Sequence, residues 1–214
     1  MSSISRYYTN IRPEVYDLLS GINASRILEV GCGAGLFREN FKYKNIYHGV
    51  EMDEAAASLA KKRLDDVFIG SILDVSGQLQ AASYDLIVCN DVLEHIYDSE
   101  AFISIIKSLL KYDGRILFSV PNVRYVSNLR EILISKDWRY VDEGVLDRTH
   151  VRFFTKKSLL RLFAENGLVV KKIKGINGKS IFPKSFNKLV RLFSALILGF
   201  DILFLQFAVL VELE

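Results

Sequence analysis

Cysteine, proline and runs of basic residues are scarce in this chain, and each shortage removes a class of explanation. Two cysteines, Cys32 and Cys89, and three prolines occur among 214 residues. A disulfide framework and the paired-cysteine spacings of metal and redox sites are therefore excluded, and a reducing cytoplasm is the expected compartment. The polar start Met1-Ser2-Ser3-Ile4-Ser5 lacks the apolar core of a secretory signal. Lys and Arg number 28 against 25 Asp and Glu, for a formal net charge of +3. No Lys/Arg stripe is present to neutralise a row of phosphates, so nucleic acid is not the expected partner. No break in composition divides the chain, and with half its residues hydrophobic it reads as one α/β domain over 1–214, with an N-terminal cap at 1–26 and an insertion at 123–150.

What the chain does have is concentrated early. Ile27-Leu28-Glu29-Val30 reads as a buried parallel strand, and Gly31-Cys32-Gly33-Ala34-Gly35 then sets glycine at every other position, where a backbone turns sharply against a ligand. In an open α/β sheet such a first turn binds nucleotide-like molecules. The dinucleotide fingerprint is incomplete, because Leu36 stands where its third glycine belongs. Glu29 at the strand end would repel a pyrophosphate, yet it suits the ammonium and sulfonium of S-adenosylmethionine. A second strand, Ile46–Val50, ends in Glu51, where a carboxylate can take two hydrogen bonds from ribose hydroxyls.

Glu29 to Gly35 with Glu51 resembles the first two motifs of the class I S-adenosylmethionine-dependent methyltransferases. Tyr7-Tyr8, Arg12-Pro13-Glu14, Asp91-Val92-Leu93-Glu94-His95, Pro121-Asn122-Val123-Arg124 and the stretch from Leu146 to Thr155 together resemble a subgroup found with bacterial glycosyltransferases and surface-polysaccharide synthesis. The resemblance implies a Rossmann-like, mostly parallel seven-stranded sheet with helices on both faces and an antiparallel last strand. It assigns the cofactor S-adenosylmethionine to Tyr8, Arg12, Glu29, Gly31, Cys32, Gly33, Gly35, Glu51, Met52, Ser71, Ile72, Asn90 and Asp91. Ser71 and Ile72 stand where the commoner pattern has an Asp beside the adenine. Asp91, His95 and His150 are the candidate catalytic residues for methylation of a saccharide or other small-molecule hydroxyl, with a glycosyltransferase as possible partner. A nicotinamide oxidoreductase is disfavoured by Glu29 and Leu36, and a non-catalytic donor-binding module would need none of the three catalytic candidates.

The remaining elements follow from periodicity and caps. Arg12-Pro13-Glu14 opens a short helix with Val15, Leu18 and Leu19 on one side; Asp53 caps a helix through Leu64, Ser99 one that ends at Asp113-Gly114, and Thr155 one through Asn166. Strands are expected at 67–70, 84–89, 115–120, 168–173 and, after an apolar helix that touches a membrane at most peripherally, 207–211. A helical turn starting at Asp91 would put Asp91, Glu94 and His95 on one face. With His150 that set resembles the Glu-x-x-Glu-His plus distant His of ubiquinone-pathway and small-RNA 2′-O-methyltransferases, with Asp91 shorter than their first Glu. A divalent cation is thus left open, with no metal ligand assigned. Trp138, Tyr140 and Arg148 in the insertion suit a sugar ring and an anionic group. Substituting any of them by alanine is expected to raise the acceptor KM without changing donor affinity, as steady-state kinetics beside calorimetry would show.

Overall fold

The computed structural model of the protein describes residues 11–178 and 199–214. The expected cofactor residue Tyr8, with Tyr7, and the apolar helix expected before the last strand lie outside them. Seven strands form one sheet: β1 Arg26–Val30, β2 Ile46–Glu51, β3 Asp66–Ile69, β4 Tyr84–Asn90, β5 Leu110–Pro121, β6 Leu168–Ile176 and β7 Gln206–Leu213. Their order is β3-β2-β1-β4-β5-β7-β6. The pairs from β3 through β5 are parallel, and β7 runs antiparallel to both β5 and β6. The order reverses between β1 and β4, so their carboxyl ends open a crevice at the topological switch point.

Alternation along each strand divides the core in two. Leu28, Val30, Ile87 and Cys89 face one side with Phe102, Ile106 and Phe163 from the helices α4 (Ser99–Leu109) and α6 (Lys156–Glu165). Ile27, Tyr47, Leu86 and Val88 face the other, covered by Val15, Leu18, Ala57 and Ala60 from α1 (Pro13–Tyr16), the turn after it, and α2 (Glu54–Ala60). Helices therefore lie on both faces. Short α3 (Ile72–Val75) and α5 (Val126–Arg130) complete the set.

Local chemistry moves several boundaries. The α4 cap is Asp98, whose carboxylate accepts from the Ala101 amide at 2.9 Å, while Ser99 is already in the helix; a carboxylate at the N-terminus also meets the helix dipole favourably. Helix α4 ends at Leu109 and the chain enters β5 directly, and α2 stops at Ala60 because a turn through Leu64 folds that side chain into the core. Thr155 caps α6 as expected, in a reciprocal pair with Ser158.

The glycine at position 49 is demanded by a close approach. A Cβ there would sit 2.5 Å from Cys32 Sγ and 2.7 Å from Leu64 Cδ1, so β2 lets the ligand loop pack onto it. Gly49→Ala should destabilise the protein by about 1–3 kcal/mol through overpacking, read as a lowered Tm in thermal unfolding.

Candidate active site

The turn after β1 is built from three glycines at positive φ, Gly31 (68°), Gly33 (53°) and Gly35 (75°), a region that side chains with a Cβ rarely enter. Gly31 and Cys32 donate to the Val50 carbonyl at 2.9 and 3.1 Å, and a Cβ on Gly31 would strike Val92 at 2.7 Å. Glu51 fastens the loop from the neighbouring strand: one oxygen accepts from the Gly33 amide at 2.7 Å and the other from the Asp53 amide at 2.9 Å. A carboxylate oxygen has two lone pairs, so Glu51 keeps capacity for ribose hydroxyls.

Glu29 is 3% exposed and accepts a hydrogen bond from the Tyr47 hydroxyl at 2.9 Å. Burial pushes its carboxyl up to about 8, against the pull of Tyr47 and of the Asn90 amide. The Asn90 side-chain amide makes no hydrogen bond of normal geometry among the described residues. Cys32 is buried, its thiol held protonated by burial and by Glu29 and Glu51, so it serves as a small loop residue. Met52 is 72% exposed at the end of β2. The Ser71 hydroxyl caps α3 through the Leu73 amide, and Ile72 is buried in the core beneath it.

At the end of β4 the helical face expected for Asp91, Glu94 and His95 does not form. Asp91 has φ 52° and the turn after it is a 3-10 turn over Leu93–His95, so the 3.6-residue spacing that would align the three is lost. Asp91 points instead to Arg12, Ser119 and Gln206. Arg12 Nη1 donates to Asp91 Oδ2, while Asp91 Oδ1 accepts from Gln206 Nε2 at 2.8 Å and from Ser119 Oγ at 3.0 Å. Burial opposes the Arg12 charge, and Asp91 and Glu14 more than restore it.

Glu94 and His95 meet His150 on the other side of this turn. The Glu94 carbonyl accepts from the Val151 and Arg152 amides at 2.9 and 3.0 Å, docking the 147–152 loop. The imidazole rings of His95 and His150 lie 4.7 Å apart. Each Nδ1 faces a backbone carbonyl, Thr149 O at 3.2 Å and Val145 O at 2.9 Å; a carbonyl only accepts, so each neutral ring has its proton on Nδ1 and a free lone pair on Nε2. Burial and the neighbouring His150 lower the His95 pKa. Glu94 is 1% exposed, with no donor to its carboxylate among the described residues, and burial and then Asp91 raise its pKa well above the usual range. One ligand atom from each of Glu94, His95 and His150 falls within 4.8 Å of the others.

The family model of the methyltransferase domain matches residues 6–173. The chain belongs to the methyltransferase-domain family. It is similar to the ubiquinone biosynthesis O-methyltransferases of Vibrio atlanticus, at 26% identity over 76% of this chain and 71% of that protein, and of Idiomarina loihiensis, at 28% over 72% and 69%. A SAM-dependent methyltransferase from Archaeoglobus fulgidus shares the fold with a TM-score of 0.67 at 18% identity, over 95% of this chain and 94% of the other. The Burkholderia thailandensis 1,6-didemethyltoxoflavin-N1-methyltransferase, solved with S-adenosylhomocysteine, does so with 0.61 at 17%, over 95% and 77%.

In this methyltransferase, aromatic rings from the 123–150 segment also meet Phe153 just beyond it. Phe153 meets Trp138 edge-on at 5.1 Å and lies 6.3 Å from Tyr140 and 6.4 Å from His150. Phe153, Ser119, Gln206 and Tyr47 were not singled out from the sequence; Phe153 lay within the 146–155 motif, and Tyr47 had a signal in lying four residues before Glu51 on the same strand face. Arg148 is exposed and paired with Asp142 at 2.7 Å. A cavity of about 280 Å³ between α6 and Arg152–Phe154 is lined by none of the expected cofactor residues. Among the described residues no helix is long and apolar enough to cross a membrane. Glu51→Ala is expected to weaken binding of S-adenosylhomocysteine about tenfold or more, and Gly33→Val to abolish it; unchanged calorimetric affinity in both variants would remove the loop as donor site.

Proposed function

We propose that this methyltransferase transfers the sulfonium methyl of S-adenosylmethionine to a hydroxyl of a small-molecule acceptor, with a saccharide hydroxyl as the acceptor class. The observation that carries the reading is the His95–His150 pair beside the switch-point crevice, each ring offering a free Nε2 lone pair. On this reading Glu29, the glycine loop and Glu51 hold the donor, with Arg12 and Asn90 near its methionine end. The acceptor oxygen attacks the methyl carbon as the carbon–sulfur bond breaks and its electron pair returns to sulfur, and the hydroxyl proton passes to an imidazole Nε2. Such a displacement is accelerated mainly by holding the three atoms in line and by removing that proton. Trp138, Tyr140 and Phe153 would stack on the acceptor ring. The names of the relatives support O-methylation. The saccharide, and a glycosyltransferase that supplies it, rest on the likeness of the 146–155 stretch to the polysaccharide-associated subgroup.

A second reading has an observation of its own. Glu94, His95 and His150 fit a divalent cation: two imidazole nitrogens and a buried carboxylate without a donor are a sound ligand set that leaves positions open for an acceptor. A cation bound there would lower the pKa of a bound hydroxyl, most simply that of a vicinal diol.

Mass spectrometry of products from nucleotide sugars, oligosaccharides and phenolic diols tests the acceptor class, and methylation of the diols alone would overturn the saccharide. His95→Ala and His150→Ala are expected to lower kcat by about 10²–10⁴ while leaving S-adenosylhomocysteine affinity unchanged. Full activity after exhaustive chelation supports the imidazole base, and loss restored by Mg²⁺ or Mn²⁺ supports the cation.

A further inference from the structure

Among the described residues the Tyr47 hydroxyl has one hydrogen-bond partner, and that partner is the acid at the end of β1. The ring is fully buried, in edge contact with Phe41 at 5.5 Å and with the Arg38 guanidinium 5.7 Å from its centre. Its O–H reaches from β2 across to β1 and donates to Glu29 Oε2 at 2.9 Å. Period two along β2 explains the arrangement: Tyr47, Gly49 and Glu51 share a face, so one strand aims a hydroxyl at Glu29, makes room for Cys32, and fastens Gly33. We propose that Tyr47 is a positioning residue for donor binding, its hydroxyl holding the Glu29 carboxylate toward the cofactor ammonium so that donor binding expels the Glu29 proton. The inference rests on Glu29 being the partner of that ammonium.

Physical surroundings supply the coupling. The groups around Glu29 are Tyr47 and Glu51 from β2, Cys32 from the loop, Cys89 and Asn90 from β4, and Arg12 from the N-terminal segment. Burial and Glu51 favour the neutral acid, whereas Tyr47, Asn90 and Arg12 favour the carboxylate, and the balance leaves Glu29 protonated at neutral pH in the free protein. Tyr47 stays a donor throughout, because burial and Glu29 hold its own proton. A cation arriving at Glu29 makes the charged form the stable one, and the proton leaves to solvent.

The test is calorimetry with S-adenosylhomocysteine on the full chain, in buffers of differing ionisation enthalpy. Wild type should release about one proton per ligand at pH 7 and gain affinity as pH rises towards 8. Tyr47→Phe keeps the ring and removes the donor; affinity at pH 7 should fall about tenfold, with the rise displaced to higher pH. Glu29→Gln should bind weakly and release no proton. No proton release by wild type, or an unchanged affinity and pH profile in Tyr47→Phe, would overturn the proposal even if Tyr47→Phe were to fold poorly. Equal loss at every pH would reduce Tyr47 to packing and overturn it also. If Glu29→Gln binds as well as wild type, the failure lies instead in the assignment of Glu29 to the ammonium.

Discussion

Burial of acid without matching buried base is the constraint on which this structure turns. Among the described residues the buried charged side chains are Glu29, Glu51, Asp91 and Glu94, every one an acid, and each lies at or just beyond the carboxyl end of β1, β2 or β4. A carboxylate taken from water needs donors or a proton. Glu51 takes two backbone amides, Asp91 takes Arg12, Ser119 and Gln206, and Glu29 takes one tyrosine hydroxyl. Glu94 takes none. The satisfaction of these acids therefore grades from complete to absent across a single crevice.

That grading separates structural from reactive groups. Glu51 and Asp91 are already committed to the fold: one fixes the glycine loop and the other ties Arg12 to β5 and β7. Removing either would leave buried donors unpaired. Glu29 and Glu94 are the acids with the fewest donors, and both have their pKa values raised chiefly by burial. Groups so poised respond to a cation, whether an ammonium or a metal ion, far more than to a neutral ligand. The cysteines beside them behave as packing, since burial and the neighbouring acids keep both thiols protonated.

Local sequence carried the elements well where one rule governed. The glycine loop, the Pro13 helix start, the Thr155 cap and the β-branched strands each depend on a residue and its near neighbours, and each was legible. Boundaries slipped where two local options competed, as between Asp98 and Ser99, where the carboxylate took the amide that the hydroxyl would have accepted. The turn after Asn90 was misread for a different reason. Helical periodicity presumes φ near −60°, and Asp91 enters the left-handed region to reach Arg12 and Ser119, contacts 79 and 28 residues away in the chain.

The sequence by itself determined that a parallel α/β sheet begins with a ligand-binding turn flanked by two acids, because strand alternation and glycine backbone freedom are properties of adjacent residues. It also determined which side chains could carry acid–base chemistry, since only three histidines occur. Tertiary structure alone decided their partners. Asp91 joins Arg12 instead of His95, Tyr47 holds Glu29, and His150 crosses more than fifty residues to face His95 and Glu94. Those pairings depend on strand order and on which side of the reversal between β1 and β4 each loop emerges. Burial, which raises the pKa values of Glu29 and Glu94, is likewise set by what the rest of the chain packs around them and is written in no single stretch.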